Sequence, residues 1–351
     1  MTFHFPLSIL FTWVLALSAT GLYAQEVPQE EPEEEVPEVE GFLFDAHVPL
    51  DEKSVHAIAR AQKWIAAQQR PDGGFPTRHG RNNTGEISFA LLALMVDGDV
   101  PGEGEYAEEI GKGLQFLLNI QQPSGLICAA DNSKAPMYQH ALAVVLLSEV
   151  YGMTSNPRIR NSLIQGVNLI VRTQHSEGGW RYRPMVSRGD VSATVMQVMA
   201  LRGAAEAGIY VPSETIRNAT RFIENCFNHA QGGWGYMNGN SEAKFPRTAA
   251  GVVSMQTLGH ADDPLVHKGV RYIMNATKDL KGGGHFWYGH YYASVALYHY
   301  GGKDWKTYYP RIRSRILGDW KNGGHYNSIL DTAWATLVLG VPYRYLPIYQ
   351  R

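Results

Sequence analysis

The side chains able to do chemistry in this 351-residue chain stand where polar turns give way to apolar runs: Glu86, Tyr138, His140, Asp190, Arg247, His290, Tyr291 and Asp331. A carboxyl group delivers a proton when burial raises its pKa, which gives Asp190 and Asp331 a reading as acids. Arg247, Tyr291 and His290 form an alternative acid/base set for cleaving a polymer. The same positions suit carboxylates as helix caps, through hydrogen bonds to free N–H groups and the helix dipole. Glu86, Asp190 and Asp331 therefore carry a purely structural reading beside the chemical one. His140, flanked by Ala141 and Leu142, reads either as a satisfied core histidine or as a ligand-binding group.

The run Phe286-Trp287-Tyr288-Gly289-His290-Tyr291-Tyr292 is the most aromatic in the chain. Trp287, Tyr288 and Tyr292, with Glu86, Tyr138, His140 and Trp334, are expected to line a pocket for an apolar, cationic or sugar ligand. Core packing is the competing explanation of the same rings. No cofactor is predicted. His285 and His325, together with His290 and Asp331, are the one zinc-type ligand set offered, and their turns lie one unit apart rather than at the i, i+4 spacing of a helical metal pair.

The elements that must position these groups recur. Gly166 to Leu201 reads as helix, turn, helix: Val167, Ile170 and Val171 have one-sided helical spacing, Ser176-Glu177-Gly178-Gly179 breaks the helix, and a nearly all-apolar helix follows from Val191. Five other stretches repeat the plan. Arg60, Lys112, Gln165, Asn218, Lys268 and Ile312 form a column with steps of 52, 53, 53, 50 and 44 residues. One place later comes a small residue (Ala61, Gly113, Gly166, Ala219, Gly269; Arg313 is the exception), then a bulky one (Trp64, Phe116, Leu169, Phe222, Tyr272, Ile316). Five places further stand Gln69, Gln121 and Gln174, then Phe227, Thr277 and Lys321. The turns close on Phe75, Leu126, Trp180, Trp234, His285 and His325. Inner helices are expected over 87–96, 140–150, 191–201, 248–258, 291–300 and 332–339. A period near 50 residues with amphipathic outer and apolar inner helices predicts an all-α ring of six hairpins that closes on itself.

Arg60-Ala61-x-x-Trp64-Ile65-x-x-x-Gln69 leading to Gly73-Gly74-Phe75, and Gly166-x-x-Leu169-Ile170-x-x-x-Gln174 leading to Gly178-Gly179-Trp180, resemble the QW repeats of squalene and oxidosqualene cyclases. The turn is also similar to that of protein prenyltransferase β-subunits. The resemblance spans about residues 54–341 and implies an α/α toroid. Gly178 to Tyr182, Gly189 to Ser192, Tyr291 to Ala293, His299 to Trp305 and Tyr343 to Tyr349 further resemble secreted bacterial squalene-cyclase-like repeat proteins, a likeness that supplies no activity. The DxDD acid motif of class II terpene cyclases is missing, the nearest pieces being Asp97-Gly98-Asp99 and Asp262-Asp263. The prenyltransferase Asp-x-Cys zinc ligand pair is replaced by Asp190/Ser192 and Asp331/Ala333. A toroid without those motifs implies a protein that binds an isoprenoid, lipid-like or polymeric ligand, with isoprenoid chemistry or polysaccharide cleavage, and a protein-interaction module, as the alternatives.

Composition sets the remaining bounds. Residues 1–40 hold eight Glu and no Lys or Arg, so the rest of the chain carries 31 basic against 25 acidic residues. Residues 1–24 read as a signal peptide cut after Ala24, with an uncleaved anchor as the alternative. Residues 25–45 read as an acidic, Pro/Glu-rich disordered linker, and 46–351 as one toroid domain. The protein is thus expected to be exported, near a membrane through its N-terminus. No dense basic run with interleaved aromatics speaks for nucleic acid. Cys128 and Cys226 form no ligand-spaced cluster and read as buried thiols, with a disulfide as the alternative.

Overall fold

The computed structural model describes residues 51–79, 82–129, 134–280, 285–320, 325–326 and 328–343. The expected leader, the linker and the Arg344–Tyr349 end lie outside the described residues.

Twelve α-helices are found among the described residues, and they alternate between two rings. The outer helices are α1 (Glu52–Ala66), α3 (Ala107–Asn119), α5 (Pro157–Arg172), α7 (Ser213–Asn225), α9 (Pro264–Ala276) and α11 (Gly302–Asp319). The inner ones are α2 (Thr84–Leu94), α4 (Pro136–Thr154), α6 (Val191–Glu206), α8 (Phe245–Thr257), α10 (Phe286–Tyr300) and α12 (Ile329–Gly340). Each inner helix packs on the next, and α12 packs back on α2 and α1, so the ring is closed. The inner helices run the same way because each is the second arm of the same hairpin. Their N-termini therefore share one end of the ring, its mouth.

Burial follows the sequence pattern. In α1 the covered residues are Ser54, Ala57, Ile58, Ala61, Gln62 and Ile65, a single stripe, whereas every residue of α2 is buried. The small-residue column is where outer helices meet inner ones. A Cβ on Gly113 would stand 2.5 Å from a Leu91 methyl, and one on Gly269 would stand 2.6 Å from Trp234.

The turns tie one unit to the next. Gln69 Nε2 donates to Gly73 O (3.1 Å) in its own turn and to Glu109 O (2.8 Å) on α3. Gln121 repeats this with Gly125 O and Ser162 O, and Gln174 with Gly178 O and Thr215 O. Gly73, Gly125 and Gly178 have φ of +86°, +86° and +96°, and each lies against a backbone carbonyl of the next outer helix. A Cβ there would sit 2.3 Å from Lys112 O, 2.4 Å from Gln165 O and 1.9 Å from Asn218 O.

All the inner helices but α6 begin three to five residues earlier than periodicity suggests, and in α4 and α8 Pro136 and Pro246 stand in the first turn, where no N–H is needed. The aromatic run 286–292 thus lies wholly within α10. Two turn-closing residues shift by one. Trp180 and Trp234 each give their backbone N–H to a threonine, Thr194 or Thr248, at 3.1 Å, and their indole N–H to Ile170 O or Ile223 O. In the last unit this role belongs to Tyr326, not His325: its N–H goes to Thr332 Oγ1 (3.0 Å) and its hydroxyl to Ile316 O (2.9 Å). In the second unit Ile127, two places after Gly125 as Trp180 is after Gly178, takes the position instead of Leu126. Cys128 and Cys226 are buried free thiols.

Removing the amide of Gln174 leaves two carbonyls without their donor. At about 0.5–1.5 kcal/mol per hydrogen bond, Gln174→Ala is expected to lower unfolding free energy by about 1–3 kcal/mol. Gly178→Ala, which adds a clash and an unfavourable φ, is expected to cost more. Urea titration of both variants checks the size and the order.

Candidate functional site

The mouth of the ring gathers a polar and aromatic cluster on its α4–α6–α8–α10 side. Asp190 is the N-cap of α6: its Oδ1 accepts from the Ala193 N–H at 3.0 Å. The side chain is fully buried, and Oδ2 stands 3.2 Å from Arg181 Nη1 without an aligned hydrogen bond. Burial raises the Asp190 carboxyl above the ordinary aspartate range, opposed by the Ala193 N–H and by the Arg181 charge. Arg181 lies over the Tyr182 ring at 4.7 Å and over Tyr236 at 5.4 Å, while Arg247 faces Tyr236 at 5.6 Å. The Tyr182 and Tyr236 hydroxyls are hydrogen-bonded to each other. Tyr138 meets the Tyr182 ring at 5.8 Å, and the Tyr288 hydroxyl faces Ser192, buried and without an aligned partner.

The loop backbones hold this cluster in place. Tyr182 O accepts the Met137 N–H in the first turn of α4, a helix with no side-chain cap. Tyr236 O accepts the Val191 N–H of α6 in the same way. One unit's loop thereby satisfies the free N–H of the preceding inner helix.

Below the mouth, aromatic side chains of α2, α10 and α12 pack on one another. Tyr291 packs on Trp334 at 4.7 Å and on Phe89 at 5.9 Å, and Phe89 meets Trp334 at 4.0 Å. Tyr292 is 0% exposed and its hydroxyl reaches Met196 Sδ on α6 at 2.8 Å. Core packing is thus the role the structure gives Tyr291, Tyr292 and Trp334. Tyr138, Tyr288 and Trp287 remain partly exposed above them. Trp287 leans on Tyr326 of the last turn at 4.9 Å.

The remaining sequence-selected residues do other work. His140 is buried, with Nδ1 accepting from the Ile127 N–H and Nε2 donating to Gly166 O, both at 3.1 Å, so neither nitrogen is left for a ligand. Burial lowers its pKa to about 4. His290 turns outward to the Tyr308 hydroxyl (2.9 Å) on α11, with its pKa lowered by burial to about 3. Arg247, Tyr291 and His290 are therefore not brought together as an acid/base set. Asn83 and Ser328, rather than Glu86 and Asp331, cap α2 and α12. Glu86 accepts the backbone N–H of Arg78 and His79, both at 2.8 Å. Asp331 meets Arg78 at 3.3 Å, joining the last unit to the first. His325 stacks on Trp64 at 4.4 Å, and His285 is exposed at the start of α10. Among the described residues no three His, Cys, Asp or Glu side chains form a metal-holding group.

Sequence reasoning passed over Arg181, Tyr182 and Tyr236 as site residues. The repeat held the signal: a tyrosine stands two places after the turn-closing tryptophan in both Trp180-Arg181-Tyr182 and Trp234-Gly235-Tyr236.

No protein-family model matches the chain. Over 279 residues, 66% of this chain and 42% of the relative, it is 23% identical to a probable squalene–hopene cyclase of Sinorhizobium fredii. Over 158 residues, 41% of this chain and 27% of the relative, it is 28% identical to a drimenyl diphosphate synthase of Streptantibioticus cattleyicolor. The chain thus spans about a quarter to two fifths of the length of these curated relatives. Among solved structures, the type II terpene cyclase MstE of Scytonema superposes with a TM-score of 0.59 at 11% identity, covering 84% of this chain and 99% of that one. The fold is the α/α toroid. An inactive variant of an α-1,6-mannanase of Salegentibacter sp. HEL1_6, in complex with α-1,6-mannotriose, superposes with a TM-score of 0.64 at 7% identity over 83% of this chain and 99% of that one. One toroid architecture thus serves proteins as different as a terpene cyclase and a mannanase.

The buried histidines set an acid limit. Their folded-state pKa values lie below that of a free histidine, so the unfolded chain binds more protons as pH falls from about 6.5. The stability that His140 and His290 contribute as neutral rings is full above that pH and is lost progressively toward pH 4. His140→Asn keeps an acceptor for the Ile127 N–H without titrating, so its urea midpoint is expected to fall less steeply between pH 6.5 and 4 than that of the unaltered chain.

Proposed function

We propose that this chain binds an extended isoprenoid, lipid-like or polymeric ligand across the mouth of the toroid and does not transform it. The observation that carries the reading is the division of the aromatic residues into a packed inner group and a partly exposed rim. Phe89, Tyr291 and Trp334 pack on one another, with Tyr292 against Tyr291, and Tyr138, Trp287 and Tyr288 keep aromatic surface exposed at the mouth. Flat aromatic faces suit isoprenoid methyls and sugar rings alike. Arg181 and Arg247, with the N-terminal ends of parallel inner helices, favour a ligand that carries negative charge at one point. The names of the terpene cyclase relatives and of the mannanase are consistent with an isoprenoid or a glycan. We further propose that binding follows export, on the strength of the apolar run 6–24.

A second reading, acid catalysis on an isoprenoid, is favoured by the raised proton affinity of Asp190. Against it, the carboxyl is 0% exposed and lies behind Arg181, so contact with a substrate requires that arginine to swing away.

Native mass spectrometry of the full chain with geranylgeranyl diphosphate and with cellohexaose separates these readings. Retention of one probe at unchanged mass is expected, weakened about 2- to 13-fold by Tyr138→Ala at about 0.5–1.5 kcal/mol per lost ring contact. Failure to retain either probe contradicts the binding reading. Conversion of the isoprenoid that disappears in Asp190→Asn establishes the second one instead.

A further inference from the structure

The fourth unit breaks the rule that the first three obey. Where Gln69, Gln121 and Gln174 reach the next outer helix, this unit has Phe227, which pairs with Trp234 as β1 (Phe227–Asn228) against β2 (Gly233–Trp234). Gly232, in the place of Gly178 and with φ +71°, has nothing within 4 Å of where its Cβ would be. The turn therefore stands off α9 instead of closing on Lys268, which follows Lys112, Gln165 and Asn218 in the column those glycines abut.

The space so released is a groove of about 620 Å³ between residues 229–232 and α9, within the roughly 300–1,000 Å³ of small-molecule sites. Its cations, Lys268 and Arg271, are exposed one helical turn apart. Among the described residues neither is in an ion pair, and no Asp or Glu lines the groove. Glu242, which lies near the Tyr272 hydroxyl, is taken up by Lys244 at 3.3 Å. The rings of His229 and Tyr272 and the carboxamides of Gln231 and Asn275 complete the lining.

The wall is braced before any ligand arrives. Asn228 Oδ1 accepts from the Gln231 N–H (2.9 Å), Gln231 Oε1 from the Ala243 N–H (2.6 Å), and the Tyr272 hydroxyl donates to Ala243 O (2.8 Å). Fixing Gln231 by its oxygen leaves its amide hydrogens as the free donors. Two cations without an ion pair among the described residues, carboxamide donors and flat rings in one braced groove match a saccharide that carries both carboxylates and hydroxyls.

We propose that this groove is a binding site for an acidic oligosaccharide, separate from the mouth: the geometry points to uronate carboxylates on Lys268 and Arg271, with sugar hydroxyls on Gln231 and Asn275 and a ring face on Tyr272. The site arises because the fourth unit gives up the glutamine staple.

Calorimetric titration of the full chain with tri-galacturonic acid, and with the uncharged galactotriose as comparison, tests it. Binding of the uronate that weakens as salt rises, and that falls at least about tenfold in the Lys268→Ala/Arg271→Ala double variant, is expected. Arg271→Lys, which keeps the charge, is expected to recover part of the loss. Both substituted side chains are exposed, so the fold tolerates their removal. Absence of uronate binding, unchanged affinity in the double variant, or equal affinity for galactotriose overturns the proposal.

Discussion

The structure depends on one side-chain amide used twice. Gln69, Gln121 and Gln174 each place two N–H groups between a carbonyl of their own turn and a carbonyl of the next outer helix. A carboxylate cannot donate, and a shorter amide does not span the gap, so the chemistry of the position is narrow. The adjoining positive-φ glycine lets the turn come within contact of the neighbouring helix backbone. Together they fix the spacing of successive hairpins. In the later units other donors take over: Arg311 on α11 donates to Thr277 O at 2.8 Å, and Tyr272 on α9 donates to Ala243 O. Where the replacement holds the loop but not the turn itself, the wall between units opens.

That spacing decides what the polar residues at the mouth are free to do. Inner helices aligned with their N-termini together leave a set of N–H groups to be satisfied, and the chain meets the need with whatever is near. Asn83, Asp190 and Ser328 cap with side chains, while Tyr182 O and Tyr236 O serve α4 and α6 from neighbouring loops. Much of what looks like chemistry in the sequence is engaged in this way. His140 pins a turn, Glu86 gathers a loop, and Asp331 reaches Arg78 across the seam. Asp190 is the exception in part, since one oxygen caps a helix and the other is held, buried, against Arg181.

The architecture was legible because it is written in periods: small, bulky and glutamine columns recur near every 50 residues, and the helices follow. The register of two turns was not. Leu126 and His325 occupy the aligned columns, but the hydrogen bonds to His140 and Thr332 belong to Ile127 and Tyr326, which only the placed backbone distinguishes. The site was legible as a place, the starts of the inner helices, and less so as a set of residues. Direction was the missing information: His290 and Tyr291 are adjacent in sequence, yet one faces the outer ring and the other packs across the axis. Arg181 and Tyr236 sit in loops, where helical periodicity carries no signal.

The central claim is that the axis is occupied by the protein's own side chains and the ligand is held at the rim. Crystals of the unaltered chain under xenon pressure test it most directly, because xenon enters dry apolar cavities and leaves close-packed cores empty. No xenon is expected among Phe89, Tyr291, Tyr292 and Trp334. An ordered xenon site there would reveal an apolar chamber along the axis and contradict the account.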